Sequence, residues 1–499
     1  MPVKPSYKEA IKYLHNLEIH GINLGLQRIT AILKSLGNPH DKLNIIHVGG
    51  TNGKGSTSAM IAAVLQKAGY KVGLYTSPHL IKFNERIRIN SREIPDRKIA
   101  ELAGRIKSIS DFGFRISDFK ISNLKSQITN HKCAPTFFEF TTAMAFLYFA
   151  EEKVDIAVIE VGLGGRLDAT NVGNPLVSII TNVAKDHQAT LGNSIREIAS
   201  EKAGIIKKGG ILISAETKPA ALKVLTTECN RKRAVFYRLD RDFFMDEKKR
   251  KNGEIYFPIP RFPDSFMSHS SPFTFTGRRW LLKDLRTNLL GRHQRLNAAC
   301  TLAVLEVLEE TCPRMFLSGK GFRISESAVR NGLQNVSWPG RLEILSERPL
   351  IVLDCAHNPA GADVLRDALL DLRFAIDDLR MKNKNNNSKI ENRKSKIILV
   401  IGIMADKDIK GILSRLAPIA DMIMLTRPKL ERAASVDMLY KKVAPYADRI
   451  ELLENVHDAC SLALSLADAG DMLCITGSVF TVGEARDFFI RYRNEEQKK

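Results

Sequence analysis

HVGGTNGKGSTSAMIAAVLQKAG, residues 47–69, decides the fold. A strand-length apolar run, LNIIHVGG (43–50), breaks at paired glycines. A helical pattern follows, with Met60, Ile61, Val64, Leu65 and Ala68 on one face at three- and four-residue spacing. Glycines between a strand and a helix let backbone N–H groups close on a phosphate, and the helix N-terminus adds favourable partial charge. Lys54 is placed to meet the β/γ-phosphates of a nucleotide as a point charge. The loop departs from the strict phosphate-loop spacing: Val48 stands where that pattern wants its first glycine, and Gly55 separates Lys54 from Ser56. An ordinary glycine-rich turn is the alternative.

Outward from this stretch, strand and helix patterns alternate. Apolar runs recur at KVGLYTS (71–77), VDIAVIEVG (154–162), LVSIITNV (176–183) and GILIS (210–214), with a helical pattern at FEFTTAMAFLYFAEEK (138–153). Continuous apolar strands joined by helices imply a parallel sheet covered on both faces. The alternation breaks across about 230–290 and returns as a helix at RLNAACTLAVLEVLEE (295–310). A second set follows the Trp338-Pro339-Gly340 turn: PLIVLDC (349–355), KIILVIGIM (396–404), MIMLTRP (422–428) and MLCITGS (472–478). The reading is α/β throughout, in two domains of about 1–337 and 338–499.

The chain has 499 residues, 44% hydrophobic and 26% charged, which excludes a wholly disordered or collagen-like polymer. Its apolar runs are too short to span a bilayer, and MPVKPSYKEAIKYLHN has no secretory h-region. The seven cysteines are scattered without a CxxC pair, so zinc and disulfide scaffolds are excluded and a reducing cytoplasm is expected. Net charge is +20. Nucleic acid and small polyanions compete to explain it. Much of the excess lies in non-periodic stretches, including 105–132, 229–254 and the Asn-rich 371–396, where a solvated face is the plain reading.

A nucleotide with Mg²⁺ needs oxygen ligands, and the strand ends offer them. Ser77 closes LYTSPH, Glu160 closes AVIEVG, and Asp186 and His187 follow TNVAKDH. In an open parallel sheet these C-terminal ends converge on the crevice beside the phosphate loop. Singly they read as a turn residue, a helix cap and a surface histidine. Spacing ranks His187 lowest, because Mg²⁺ prefers oxygen.

HVGGTNGKGS, GLYTSPHLIKFNERIRI, FFEFTT, EVGLGGRLDATN, TNVAKDH, SEKAGIIK, GRHQRLNA, WPGRLE, LDCAHNP and GIMADKD occur in this order. In these motifs the chain resembles folylpolyglutamate synthase and dihydrofolate synthase of the Mur-ligase superfamily. The match covers about 1–100, 133–228 and 288–499, and skips insertions at roughly 105–132, 229–287 and 372–396.

The resemblance implies an N-terminal phosphate-loop ATP-binding domain with a parallel-type sheet and a smaller C-terminal Rossmann-like α/β domain, with the site between them. It implies that Thr51, Asn52, Gly53 and Lys54 hold the ATP phosphates, with Asn297, Arg341 and Asp354 as further nucleotide contacts and His357 beside them. Ser77, Glu160 and His187 would ligate Mg²⁺, which overrules the low rank of His187. Lys202 falls at a carbamylated lysine, which would hold a second Mg²⁺ through oxygen; a solvated helix lysine is the alternative. A dihydropteroate pocket would use Asn23, Leu24 and Gly25, then Thr136, Phe137, Phe138 and Glu139, then Leu167, Asp168 and Ala169. Asn23 replaces the aspartate typical of the bifunctional enzymes. Phe137 and Phe138 can cover an aromatic ring, or pack a helix start, and Asp168 can accept ring N–H bonds.

The implied reaction is ATP-dependent addition of L-glutamate to dihydropteroate and to the γ-carboxylate of folate glutamates, through an acyl phosphate. A monofunctional synthase, a cell-wall Mur ligase and a phosphate-loop nucleic-acid-binding ATPase are the rivals. The last two leave the ordered motifs unexplained. A cytoplasmic monomer without nucleic-acid or membrane partners is the expectation.

Overall fold

The computed structural model describes residues 5–113, 134–247, 272–312, 321–382 and 394–496. The first sheet has eight strands: β1 (Ile45–Gly49), β2 (Val72–Tyr75), β3 (Ile87–Ile89), β4 (Arg92–Glu93), β5 (Ile156–Glu160), β6 (Val177–Ile180), β7 (Ile211–Ser214) and β8 (Val235–Arg238). Their order is β4-β3-β2-β5-β1-β6-β7-β8, parallel from β2 to β8, with β3 and β4 antiparallel at one edge. β1, β2, β5 and β6 are buried at every position, as two covered faces require of apolar strands.

Helices Tyr7–Asn16, Gln27–Ser35, Asp96–Gly113 and Phe137–Glu151 pack one face of this sheet. Helices Lys54–Lys67, Arg292–Thr311 and Glu326–Asn335 pack the other. Gly332 lets the last of these approach so closely that a Cβ there would stand 2.5 Å from Val64 Cα.

A three-stranded antiparallel sheet, β9 (Phe244–Glu247), β10 (Phe273–Thr276) and β11 (Leu281–Leu285), closes that second core. The last sheet holds β12 (Glu343–Glu347), β13 (Leu350–Leu353), β14 (Ile397–Ile401), β15 (Met422–Thr426), β16 (Ile450–Leu453) and β17 (Met472–Thr476). Its order is β12-β13-β17-β14-β15-β16, with only β12 antiparallel. Trp338-Pro339-Gly340 lies on the segment between the two large sheets.

Three stretches assigned to insertions begin inside regular structure. The helix Asp96–Gly113 runs through 105–113, because Ile99, Leu102, Ala103 and Ile106 bury one face. Within 229–287 lie the end of the helix Pro219–Lys232, the edge strand β8 and the three-stranded sheet. β10, the middle strand of that sheet, alternates buried Phe273 and Phe275 with half-buried threonines, a short pattern distinct from the continuous apolar runs of the large sheets. The helix Pro359–Lys382 continues past 372, and Asp377 accepts from the Ser395 N–H (3.0 Å) and hydroxyl (2.7 Å) where the chain returns. The remainder of these stretches, 114–132, 248–271 and 383–393, lies outside the described residues. Among those described, the six cysteines are free thiols, and no helix is long and apolar enough to cross a membrane.

Glu306, buried in the helix Arg292–Thr311, anchors the small sheet. Its carboxylate accepts the N–H groups of Arg278 (3.0 Å), Arg279 (2.5 Å) and Trp280 (2.6 Å) in the β10–β11 turn. Glu306→Ala should therefore cost about 2–3 kcal/mol. Calorimetry should show a lowered Tm, with Glu306→Gln, which keeps one acceptor oxygen, in between.

Candidate active site

The chain leaves β1 through Gly50-Thr51-Asn52-Gly53 and enters its helix at Lys54. Gly53 is in the left-handed region at φ 84°, and a Cβ there would stand 2.5 Å from Asn297 Oδ1. Gly55 is bare for another reason, since Trp338 Nε1 lies 2.8 Å from where its Cβ would be. The loop is pinned from β6: Thr51 N–H donates to the Asn182 carbonyl (2.8 Å), and Asn52 N–H to Asn182 Oδ1 (3.0 Å). Lys54 Nζ donates to the carbonyls of Gly50 (3.3 Å) and Thr51 (3.1 Å), at the mouth of the turn.

A cavity of about 410 Å³ opens over this loop, between the two large sheets. It is lined by Thr51, Asn52, Gly53 and Lys54 of the loop and by Ser77, Glu160, His187 and Lys202 at or beyond the strand ends. Asn297, Arg341, Asp354 and His357 complete it. Glu160 is buried at the end of β5 and accepts the Ser77 N–H at 3.1 Å. Burial raises its carboxyl above the usual range, against the opposing pull of Lys54, Ser77 and Arg341. Lys202 is buried too, and its Nζ donates to the Gly50 carbonyl at 2.9 Å. Burial, then neighbouring Lys54, brings its ammonium down to about 7. Asp354 accepts the N–H groups of Leu342 (3.0 Å) and Ala356 (2.9 Å), fixing the segment that carries Arg341.

His187 has left-handed backbone at φ 49°. Lys407 Nζ approaches its Nε2 to 3.1 Å. An ammonium only donates, so that ring nitrogen is unprotonated and its lone pair accepts from Lys407. Burial, helped by Lys407, His357 and Lys54, correspondingly brings the imidazole down to about 4.

Lys407 belongs to a cluster that no search of single motifs assembles. Its Nζ also lies 2.7 Å from Asp186 Oδ1. Asp186 Oδ2 accepts from Asn358 Nδ2 (3.1 Å) and lies 3.5 Å from His357 Nε2. These partners hold the Asp186 carboxyl well below the ordinary carboxylate range, despite its burial. Asn52 and Asn358 meet amide to amide, at 3.2 and 2.9 Å, and so tie the phosphate loop to the segment after β13. Asp186, Asn358 and Lys407 stand in the motifs TNVAKDH, LDCAHNP and GIMADKD, but their mutual contact is tertiary.

The residues expected for a pterin gather beside this cavity rather than in it. Gly25 N–H donates to the Leu167 carbonyl (3.4 Å), and Arg28 links the Asn23 carbonyl (2.6 Å) to Glu139 (2.9 Å). Phe138 stacks with Tyr75 at a centroid distance of 6.1 Å and closes against Gly162. Phe137 lies under the Arg86 guanidinium, 5.0 Å from its ring centroid. Thr136 and Glu139 form a reciprocal N-terminal cap of the helix Phe137–Glu151. Asp168 caps the turn Ala169–Val172, with one oxygen taking the Leu163 N–H (2.8 Å) and the other the N–H (3.0 Å) and hydroxyl (2.5 Å) of Thr170. Both its oxygens are thus engaged, which the sequence reading of Asp168 as a ring acceptor did not anticipate.

A phosphate loop, polar side chains gathered at the strand ends and a second Rossmann-like sheet closing over them define an ATP-dependent ligase of the Mur type. Residues 115–305 match the Mur ligase middle domain, and 385–479 the Mur ligase, glutamate ligase domain. The dihydrofolate synthase/folylpolyglutamate synthase of Bacillus subtilis is 35% identical, over 96% of this chain and 98% of its own. The Mycobacterium tuberculosis folylpolyglutamate synthase structure, complexed with ADP and AMPPCP, superposes with a TM-score of 0.79 at 30% identity, over 97% of this chain and 99% of that one. The bifunctional enzyme of Yersinia pestis, complexed with AMPPNP and Mn ion, gives 0.74 at 27% identity, over 97% and 98%. This chain belongs to the dihydrofolate synthase/folylpolyglutamate synthase family.

Burial brings His47 and His79 down to about 3 and His293 to about 4, below the ~6.5 of an unfolded histidine. Between those values the unfolded chain binds more protons. The stability these neutral rings contribute is complete above pH ~6.5 and is lost as pH falls toward 4. Tm should therefore drop between pH 7 and pH 5, and His47→Gln should flatten that slope.

Proposed function

We infer that this chain is an ATP-dependent ligase that adds L-glutamate to dihydropteroate and to the γ-carboxylate of tetrahydrofolate glutamates. The observation that carries the reading is the convergence of Lys54, Glu160 and Arg341 on one cavity between the two sheets. We place the domain boundary at 337/338, so that the cavity lies between the domains.

Thr51, Asn52, Gly53 and Lys54 would hold the phosphates of ATP through backbone N–H groups and one ammonium, with Asn297, Arg341 and Asp354 fixing the rest of the nucleotide. The donor set suits a divalent ion: the Glu160 carboxylate, the Ser77 hydroxyl and, in His187, an unprotonated ring nitrogen that would exchange the Lys407 hydrogen bond for the metal. When bound, Mg²⁺ supplies charge neutralisation on the phosphates. Lys202, carbamylated by attack of its amine on CO₂ with loss of a proton, would add oxygen ligands for a second ion.

The acceptor carboxylate attacks the γ-phosphorus of ATP and ADP leaves, giving an acyl phosphate. The α-amine of glutamate then attacks that carbonyl and phosphate departs, leaving an amide. The protein's part is positioning and charge stabilisation by Lys54 and Arg341. The Asn52–Asn358 pair and the Asp186–Lys407 contact hold the two sheets closed and keep water from the acyl phosphate. His357, beside Asp186, is placed on the glutamate side.

For the acceptor, Phe137 and Phe138 cover the pterin, the segments 23–25 and 167–169 form its rim, and Thr136 and Asp168 shape the wall. Glu139 Oε1, buried without a partner among the described residues, is an acceptor for a ring N–H. Asn23 is exposed and neutral, so dihydropteroate binding loses a charge-assisted bond worth about tenfold in affinity. This favours the second reading, a folylpolyglutamate synthase alone.

Purified protein with ATP and glutamate should release phosphate with tetrahydrofolate and, more weakly, with dihydropteroate. No release with millimolar dihydropteroate would leave the second reading. Asn23→Asp should improve dihydropteroate use more than tetrahydrofolate use.

Lys54→Ala should abolish both ligation and ATP turnover, with circular dichroism unchanged. Near-wild-type ligation would remove Lys54 from the site. Glu160→Gln should raise the Mg²⁺ needed for half-maximal rate, and excess Mg²⁺ should restore part of it.

A further inference from the structure

A second cavity, of about 460 Å³, lies on the other side of the Ser77–Glu160–Arg341 wall, between the helix Lys54–Lys67, the strands β2 and β3, and the Trp338 segment. We propose that it binds a glutamyl carboxylate, held by the Arg88 guanidinium lying across the face of Trp338. The proposal rests on the ligase reading and gives it a substrate contact.

Most charges lining this cavity are already satisfied. Arg486 Nε is held by both oxygens of Glu343 (2.9 and 3.0 Å). Glu85 accepts the N–H groups of Leu80 (2.7 Å), Ile81 (2.9 Å) and Lys82 (2.7 Å). Glu160 accepts from Ser77. Arg341 donates to the Gly340 carbonyl (3.1 Å).

Arg88 differs. Its guanidinium carbon lies 5.4 Å from the Trp338 ring centroid, and its buried Nε has no hydrogen-bond partner. Glu93, its register partner on β4, is exposed and forms no ion pair with it among the described residues. A guanidinium stacked on an indole keeps its in-plane N–H edge open, and that edge matches the two oxygens of a carboxylate.

The rest of the cavity suits the stem of such a ligand. Ala59, Ala62 and Ala63 present methyl groups from the helix, apolar footing for the two methylenes of a glutamyl side chain. Phosphates are served elsewhere, since the loop cradle opens on the first cavity. Trp338 packs on Gly55 at the start of the same helix, and Ser77, Glu160 and Arg341 line both cavities, so the cavity adjoins the centre where the acyl phosphate would form. The carboxylate can come from free L-glutamate or from the γ-linked tail of a polyglutamylated acceptor.

The test compares wild type, Arg88→Met, which keeps the stem on Trp338, and Arg88→Lys, which restores a cation. The expected result is a rise of about tenfold or more in KM for one glutamyl substrate in Arg88→Met, partly recovered in Arg88→Lys, while KM for ATP holds. A rise confined to L-glutamate assigns the free amino acid, and one confined to di- and triglutamyl acceptors assigns the tail. Unchanged KM for both, or a change confined to ATP, overturns the proposal. Titration of L-glutamate and of γ-glutamylglutamate against Trp338 fluorescence, with Trp338→Phe as reference, reads the site without turnover. Binding lost in Arg88→Met by a protein that ligates no folate would sink the ligase reading and keep the site; no binding of either compound by wild type would sink the site.

Discussion

The structure depends on how closely other groups approach the backbone between β1 and its helix. At Gly53 and Gly55 the space a side chain would fill is taken by Asn297 and Trp338, and the Gly50 carbonyl receives both Lys54 and Lys202. Helix, linker and strand-end ligands therefore register against one short length of bare main chain. A Cβ at either glycine would displace a residue assigned to the nucleotide or to the wall between the two cavities.

Electrostatics then joins the sheets. Asp186, beyond β6, stays charged because Lys407, Asn358 and His357 surround it, and all three come from more than a hundred residues away in the chain. Burial, helped by the same ammonium, leaves His187 neutral. Asp186 and Lys407 are each more than nine-tenths buried at the side chain, and removing either one would leave the other charge buried and unpaired, which costs more than the pair contributes.

Much of the fold was legible because it rests on periodicity. Apolar runs of four to eight residues, joined by amphipathic helices, can only be covered from both sides, so the parallel sheets follow from the pattern alone. The phosphate loop was legible for a similar reason: glycines, Lys54 and a helix start act within a few residues of one another. Missed were the short strands β3, β4, β12 and β16, the strands β8 to β11, whose short or alternating patterns merge with a basic, Phe-rich stretch, and the full lengths of the helices Asp96–Gly113 and Pro359–Lys382.

The sequence by itself determined the α/β class, the phosphate loop, the strand-end positions of Ser77, Glu160 and His187, and the family, because each is carried by neighbours in the chain or by motifs in a fixed order. Only the tertiary structure decided what those residues touch. The Asn52–Asn358 pair spans 306 positions, Arg88 meets Trp338 across 250 by their numbers, and Asp168 accepts the N–H groups of Leu163 and Thr170. Pattern fixes which face of an element is buried. It carries no record of which polar atoms meet once two faces close, because hydrogen bonding and desolvation depend on distances of a few ångström that exist only after the chain has folded.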